Sequence, residues 1–222
     1  MNIEFEVIVL SCRGFHMQIL FSMMLVVGIG CGPKKEVQKD PRYLNAEYKR
    51  LSQEMKRHVS RQRWKKASRV FGEITELGVD ISYDDWFVAA EIHQEVGSIA
   101  QTRDCLRNAY ELRSTTQVED WRKLIEDQYG DVVLEVKSND DFDFSPRFEM
   151  SDPVKRNAVA YAKTQLEEER SFSGMLPVGV YHFVGEDFEV EPGLEIVRSL
   201  DPRQRKKGLK KAVIKEIEIP EE

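Results

Sequence analysis

Leu51, Trp86 and Trp121 stand 35 residues apart. Two further sets keep the same interval: Tyr48, Tyr83 and Val118, then Met55, Ala90 and Ile125. All three lie in a stretch from Pro41 to Gly130 that contains no second proline and spaces its apolar residues three and four apart, the mark of helices with one buried face. A single helical hairpin cannot bury that face alone, so recurrence at this interval predicts hairpins stacked on one another.

In the middle unit, Trp86, Ala89, Ala90, His93, Gly97, Thr102, Leu106 and Ala109 follow an order of large anchor, small contacts, inter-helix turn and second-helix packing. This order resembles a tetratricopeptide repeat. The first unit offers Leu51, Met55, His58, Ala67, Phe71 and Ile74 in the same frame, with Gly78 as a helix stop. The third supplies one helix, from Val118 to Tyr129 and ending at Gly130, as a cap on the stack. The resemblance covers residues 43–130. It implies a groove lined by the first helix of each hairpin, with Lys49, Lys56, Asp84, Phe87, Glu91, Gln94, Arg122 and Glu126 facing it and Phe87 as the apolar anchor. The same positions also suit a solvated face of an ordinary helical bundle.

After Gly130 the period changes. Val132-Val-Leu-Glu-Val136 reads as a strand, and Ser138 to Pro146 as a polar loop. Asp140, Asp141 and Asp143 in that loop lack the glycine and closing glutamate of a calcium loop. Asp152-Pro153 is a helix start, followed by an apolar face of Val154, Ala158, Tyr161, Ala162 and Leu166 to about Arg170. In Ser173-Gly-Met-Leu-Pro-Val-Gly-Val-Tyr-His-Phe183, Tyr181 and Phe183 share one face; a turn at Gly185-Glu-Asp187 and a strand Phe188–Val190 follow. The Leu-Pro-x-Gly-x-Tyr core resembles the strand of carboxypeptidase-regulatory-like or PEGA-like β-sandwich modules, which bind or space rather than catalyse. With Ala212–Ile219 as a last strand, residues 131–222 are expected to form a small β-rich α+β domain. The expected fold class is therefore α+β.

The apolar run Met17–Gly30 is followed at once by Cys31 and then Gly-Pro-Lys-Lys. An apolar core, small residues, a cysteine and then polar chain resemble a bacterial lipoprotein signal. The run is shorter than the roughly 20 residues of a bilayer span. The resemblance implies a signal peptide over residues 1–30, starting at Met1 or Met17, acylation of Cys31 and a linker over 31–42. It places the chain in the cell envelope, bound to membrane lipid through Cys31. Gly32 after the cysteine, rather than Asp, points to the outer membrane facing the periplasm.

The net charge of −6 argues against nucleic acid as the partner, since phosphate binding needs a sustained basic surface. The exception is the basic cluster Arg203-Gln-Arg-Lys-Lys-Gly-Leu-Lys-Lys211, which suits a solvated loop or contact with polyanions. Three cysteines, Cys12, Cys31 and Cys105, leave Cys105 alone after processing, which excludes a disulfide framework and a multi-cysteine metal site. His58, His93 and His182 lack the spacing of metal ligands, Glu167-Glu-Glu169 has no partner acid, and no phosphate loop or nucleophile elbow occurs. The expectation is no enzyme and no cofactor, but an interaction scaffold with a protein partner. The alternative is a periplasmic accessory protein that binds a ligand or the cell wall.

Overall fold

The computed structural model describes residues 40–137 and 142–200. The expected signal, Cys31, most of the linker, the Asp140-Asp141 pair, the basic cluster and the strand 212–219 lie outside the described residues. The fold is mixed α and β: helices come first, and two small sheets follow.

Helices α1 (Pro41–Val59) and α2 (Trp64–Glu76) form one hairpin, α3 (Tyr83–Val96) and α4 (Ile99–Leu112) a second, and α5 (Thr116–Gln128) packs on α4. Local chemistry sets the ends. Asp40 caps α1 by accepting the N–H of Arg42 at 2.9 Å, with Pro41 in the first turn. Residues 41 and 42, expected in the linker, are therefore helical. Asp-Pro pre-sets the proline φ and satisfies a free N–H there, as it does at Asp152-Pro153. Gly78 (φ 65°) follows α2 and Gly97 (φ 94°) closes α3, both in the left-handed region where a Cβ is disfavoured. Met55, Ala90 and Ile125, one per unit, are all buried, alongside Ile74, Ile92 and Leu106.

Gly130 does not end a helix. The chain passes from Gln128 of α5 straight into strand β1 (Tyr129–Val136), and a Cβ at Gly130 would come within 2.3 Å of the Glu191 carbonyl oxygen. Strand β2 (Phe144–Pro146) occupies the end of the segment expected as loop. Helix α6 (Pro153–Glu169) buries Ala158, Ala162 and Leu166. Strands β3 (Ser171–Pro177), β4 (Gly179–Phe183), β5 (Glu186–Val190) and β6 (Glu195–Leu200) complete the chain described. One sheet has the order β3-β1-β6, with β1 antiparallel to β3 and parallel to β6. The other, β2-β4-β5, is antiparallel throughout.

The stretch read as one strand, Ser173–Phe183, serves both sheets. Pro177 ends β3, and Gly179, at φ 146° with the Phe148 ring where a Cβ would stand, begins β4. Tyr181 and Phe183 are fully buried, as their shared face requires, while Val178 and Val180 are exposed. The Tyr181 ring packs among Phe144, Phe148 and Phe188, and its hydroxyl donates to the Pro177 carbonyl at 2.8 Å. The following turn is Val184-Gly185 rather than 185–187. Both residues have positive φ (47° and 72°), which matches the twist of a two-residue hairpin, and β5 starts two residues earlier than the apolar pattern indicates.

Two apolar cores result, one in the helical stack and one between the sheets and α6. Ala158 and Met175 belong to the first although they follow residue 130. Asn157 on α6 also donates from Nδ2 to the Glu95 carbonyl at 3.0 Å, and a Cβ on Gly97 would lie 2.2 Å from the Asn157 carbonyl oxygen.

Candidate functional site

Two surfaces present side chains in an organised way: the first-helix face of the stack, and a cleft between α4 and the outer face of β3-β1-β6.

On the stack, α3 and α5 bring Tyr83, Phe87 and Trp121 into a partly buried aromatic row. Phe87 stacks on Tyr83 at 6.1 Å between ring centres and meets Trp121 edge-on at 5.5 Å. Arg113 lies over the Tyr83 ring at 3.7 Å and reaches the exposed Asp84 at 3.4 Å. The eight residues expected to line a groove are not alike. Lys49, Glu91 and Glu126 are exposed, and Gln94 is half-buried. Lys56 reaches across to Asp85 of α3 at 2.7 Å, so its ammonium is committed to a neighbouring helix. Arg122 turns toward α4, with its guanidinium 5.1 Å from the Tyr110 ring centre and 3.7 Å from Glu126. Phe87 and Asp84 are therefore the members of the set that share the aromatic row's surroundings.

Asp85, absent from that set, is the most connected polar group of the stack. It is buried and accepts from Tyr48 Oη, from Ser52 Oγ at 2.8 Å and from Lys56. Burial opposes its ionisation, but the bonds from Lys56, Tyr48 and Ser52 outweigh it and hold the carboxyl below its ordinary pKa. The sequence clue was Ser82 three residues before Asp85, the spacing of a helix start. A first-turn carboxylate is ordinarily solvated, so nothing local marks it as buried.

The cleft has a volume of about 410 Å³. Ala100 and Arg103 of α4 form one wall; Asp131 and Val133 of β1, with Leu194 and Glu195 at the start of β6, form the other. Strand alternation explains the floor: Val132, Leu134 and Val136 point into the sheet core, which turns Asp131 and Val133 outward. Asp131 and Val133 pair in register with Glu195 and Val197, placing two carboxylates side by side and two valines beside them. Arg103 Nη1 donates to Asp131 at 2.8 Å, and that hydrogen bond raises the guanidinium's pKa. Leu194 and Val197 are 40 % and 41 % exposed. No single segment shows this site, because its walls come from stretches nearly a hundred residues apart.

Elsewhere, His182 Nδ1 meets Asp187 at 2.5 Å and Nε2 stands 3.6 Å from Asp143, while Arg147 reaches Asp187 at 3.3 Å. His93 is buried against Phe71, and Cys105 is buried and unpaired. Among the described residues no group of three His, Cys, Asp or Glu could hold a metal, and no helix is long and apolar enough to cross a membrane. No protein-family profile matches the chain, and no curated protein or solved structure does either.

Proposed function

We propose that the chain is a membrane-anchored envelope lipoprotein, tethered through acylated Cys31 at the outer membrane and facing the periplasm. It acts there as a non-catalytic scaffold that holds a protein partner. In this reading the helices follow a tetratricopeptide-like plan and the sheets a carboxypeptidase-regulatory-like one. The observation that carries the scaffold role is the aromatic row Tyr83, Phe87 and Trp121, contributed by α3 of the second hairpin and by the single helix α5, and left partly accessible. Large rigid rings bordered by charge, here Asp84 and Arg113, give contact area at little entropic cost. The lipoprotein address rests on the order of residues from Met17 to Lys34.

Intact mass and membrane partitioning of the chain expressed in bacteria, beside Cys31→Ser, test the anchor. A mass equal to cleavage before Cys31 plus acyl chains, lost in the variant, supports it; an unprocessed wild type refutes it. In-cell crosslinking from a photoreactive residue at Lys49 or Glu91 tests the scaffold. One defined adduct that Phe87→Ala abolishes is expected, and an adduct pattern indifferent to Phe87 counts against the aromatic row.

A further inference from the structure

We propose that the cleft beside β6 binds an extended, basic segment of a partner protein, with Lys or Arg side chains meeting Glu195 and apolar ones resting on Leu194 and Val197. This surface is separate from the aromatic row of the stack and does not depend on membrane anchoring.

Charge identifies the occupant. The stretch 186–195 that leads into the cleft carries Glu186, Asp187, Glu189, Glu191 and Glu195 and contains no Lys or Arg. Arg103, on the facing wall, is committed to Asp131 at 2.8 Å, so the cation present does not cancel the rim. Glu195 makes no ion pair among the described residues. An anionic ligand would meet Glu195 unpaired on the cleft wall, whereas a cation gains from it.

Shape identifies the conformation. Among the described residues β6 pairs on one side alone, with β1, and the backbone N–H and C=O groups of its other edge meet no described strand. An added strand satisfies them and places alternate side chains over the face that carries Glu195 and Val197. The cleft, at about 410 Å³, takes one long side chain against Val133 and Ala100 beside that strand.

The test is fluorescence anisotropy with a labelled peptide of alternating lysine and valine, titrated into the full chain at low and moderate salt. Saturable binding that weakens with salt is expected. It should weaken about threefold in Glu195→Gln and about tenfold in Glu195→Lys, in line with the size of partly exposed charge pairs. Val197→Ser should weaken it too, while Glu91→Gln with Glu126→Gln on the stack leaves it unchanged. These residues are exposed or half-exposed, and a thermal midpoint for each variant shows that it folds. Absence of saturable binding overturns the proposal, as does binding that Glu195→Gln leaves unaltered. Binding that emerges only after Arg203, Arg205, Lys206, Lys207, Lys210 and Lys211 are changed to Gln overturns it in favour of the chain's own basic cluster as occupant. Failure here leaves the Phe87 crosslinking result untouched.

Discussion

The Tyr48 hydroxyl accepts the backbone N–H of Ser82 at 2.9 Å, so a side chain from the middle of α1 holds the residue that caps α3. One unit on, Tyr83 also reaches a capping residue, but through its side chain: Tyr83 Oη lies 3.1 Å from Oγ1 of Thr115, the cap of α5. The 35-residue spacing of the two tyrosines therefore serves a bonding pattern as well as packing. Tyr48→Phe removes the acceptor for Ser82 and a donor to Asp85, and should cost about 2 kcal/mol; Tyr83→Phe should cost about 1 kcal/mol, because Thr115 is half-exposed and water replaces the bond. Urea unfolding should show lower midpoints with unchanged slopes.

Asp85 is the hub of that joint. Asp85→Ala leaves the buried Ser52 hydroxyl and the part-buried Tyr48 hydroxyl without their acceptor and frees the exposed Lys56, for a loss of about 3 kcal/mol. Asp85→Asn should lose less, since the amide oxygen still accepts from Ser52. Because the folded carboxyl titrates below its usual 3.8, its contribution is complete above that value and is lost as pH falls through the lower folded pKa. Acid unfolding of wild type against Asp85→Asn reads this difference: the variant should lose less stability at the acid end.

His93 titrates in a different window. Burial pushes its imidazole down from 6.5 to about 4, so the folded state keeps it neutral while the unfolded chain takes up a proton. Its contribution is complete above 6.5 and declines as pH falls toward 4, by about 3 kcal/mol at most. Urea midpoints at about pH 7 and about pH 4.5 should differ in wild type and differ less in His93→Leu, which has no proton to bind. Equal differences in both proteins count against this origin.

Gly97 has no room to change. Gly97→Ala combines a Cβ 2.2 Å from the Asn157 carbonyl oxygen with a left-handed φ of 94°, and should cost about 3 kcal/mol or more. Gly78→Ala, at φ 65° with nothing within 4 Å, should cost about 1 kcal/mol. Thermal midpoints of the two variants separate the contact from the backbone term.

Cys105 should be silent in the native state. Burial raises its thiol to about 12, which removes the reactive thiolate at neutral pH. Modification of Cys105 by a thiol reagent, read by peptide mass apart from Cys12 and Cys31, should proceed at the rate of opening and become immediate in denaturant; fast labelling of Cys105 in the native chain counts against its burial.

Features that repeat or that rest on stereochemistry could be read directly. Met55, Ala90 and Ile125 recur and are buried alike; Asp152-Pro153 starts a helix because proline fixes φ and aspartate satisfies a free N–H; Tyr181 and Phe183 share the buried face of a strand that exposes Val180. Features that rest on tertiary neighbours could not. Lys56 and Arg122 look like solvent-facing cations until Asp85 and Tyr110 are brought beside them. Val184 in a left-handed turn runs against the preference of a β-branched residue, so local rules start the turn one residue late and β5 two. The cleft required α4 and β6 to be adjacent, which no spacing within either segment encodes.

The unbroken passage from Gln128 into Tyr129 makes α5 and β1 a single strut. With no loop residue between them, and with Gly97 of the stack pressed against Asn157 of α6, a pull on the sheets is delivered to the helical stack rather than absorbed by slack chain. A cut at residue 130 would sever the central strand of one sheet near its first paired residues, so the two halves are mechanically one piece and are best expressed, anchored and loaded as such.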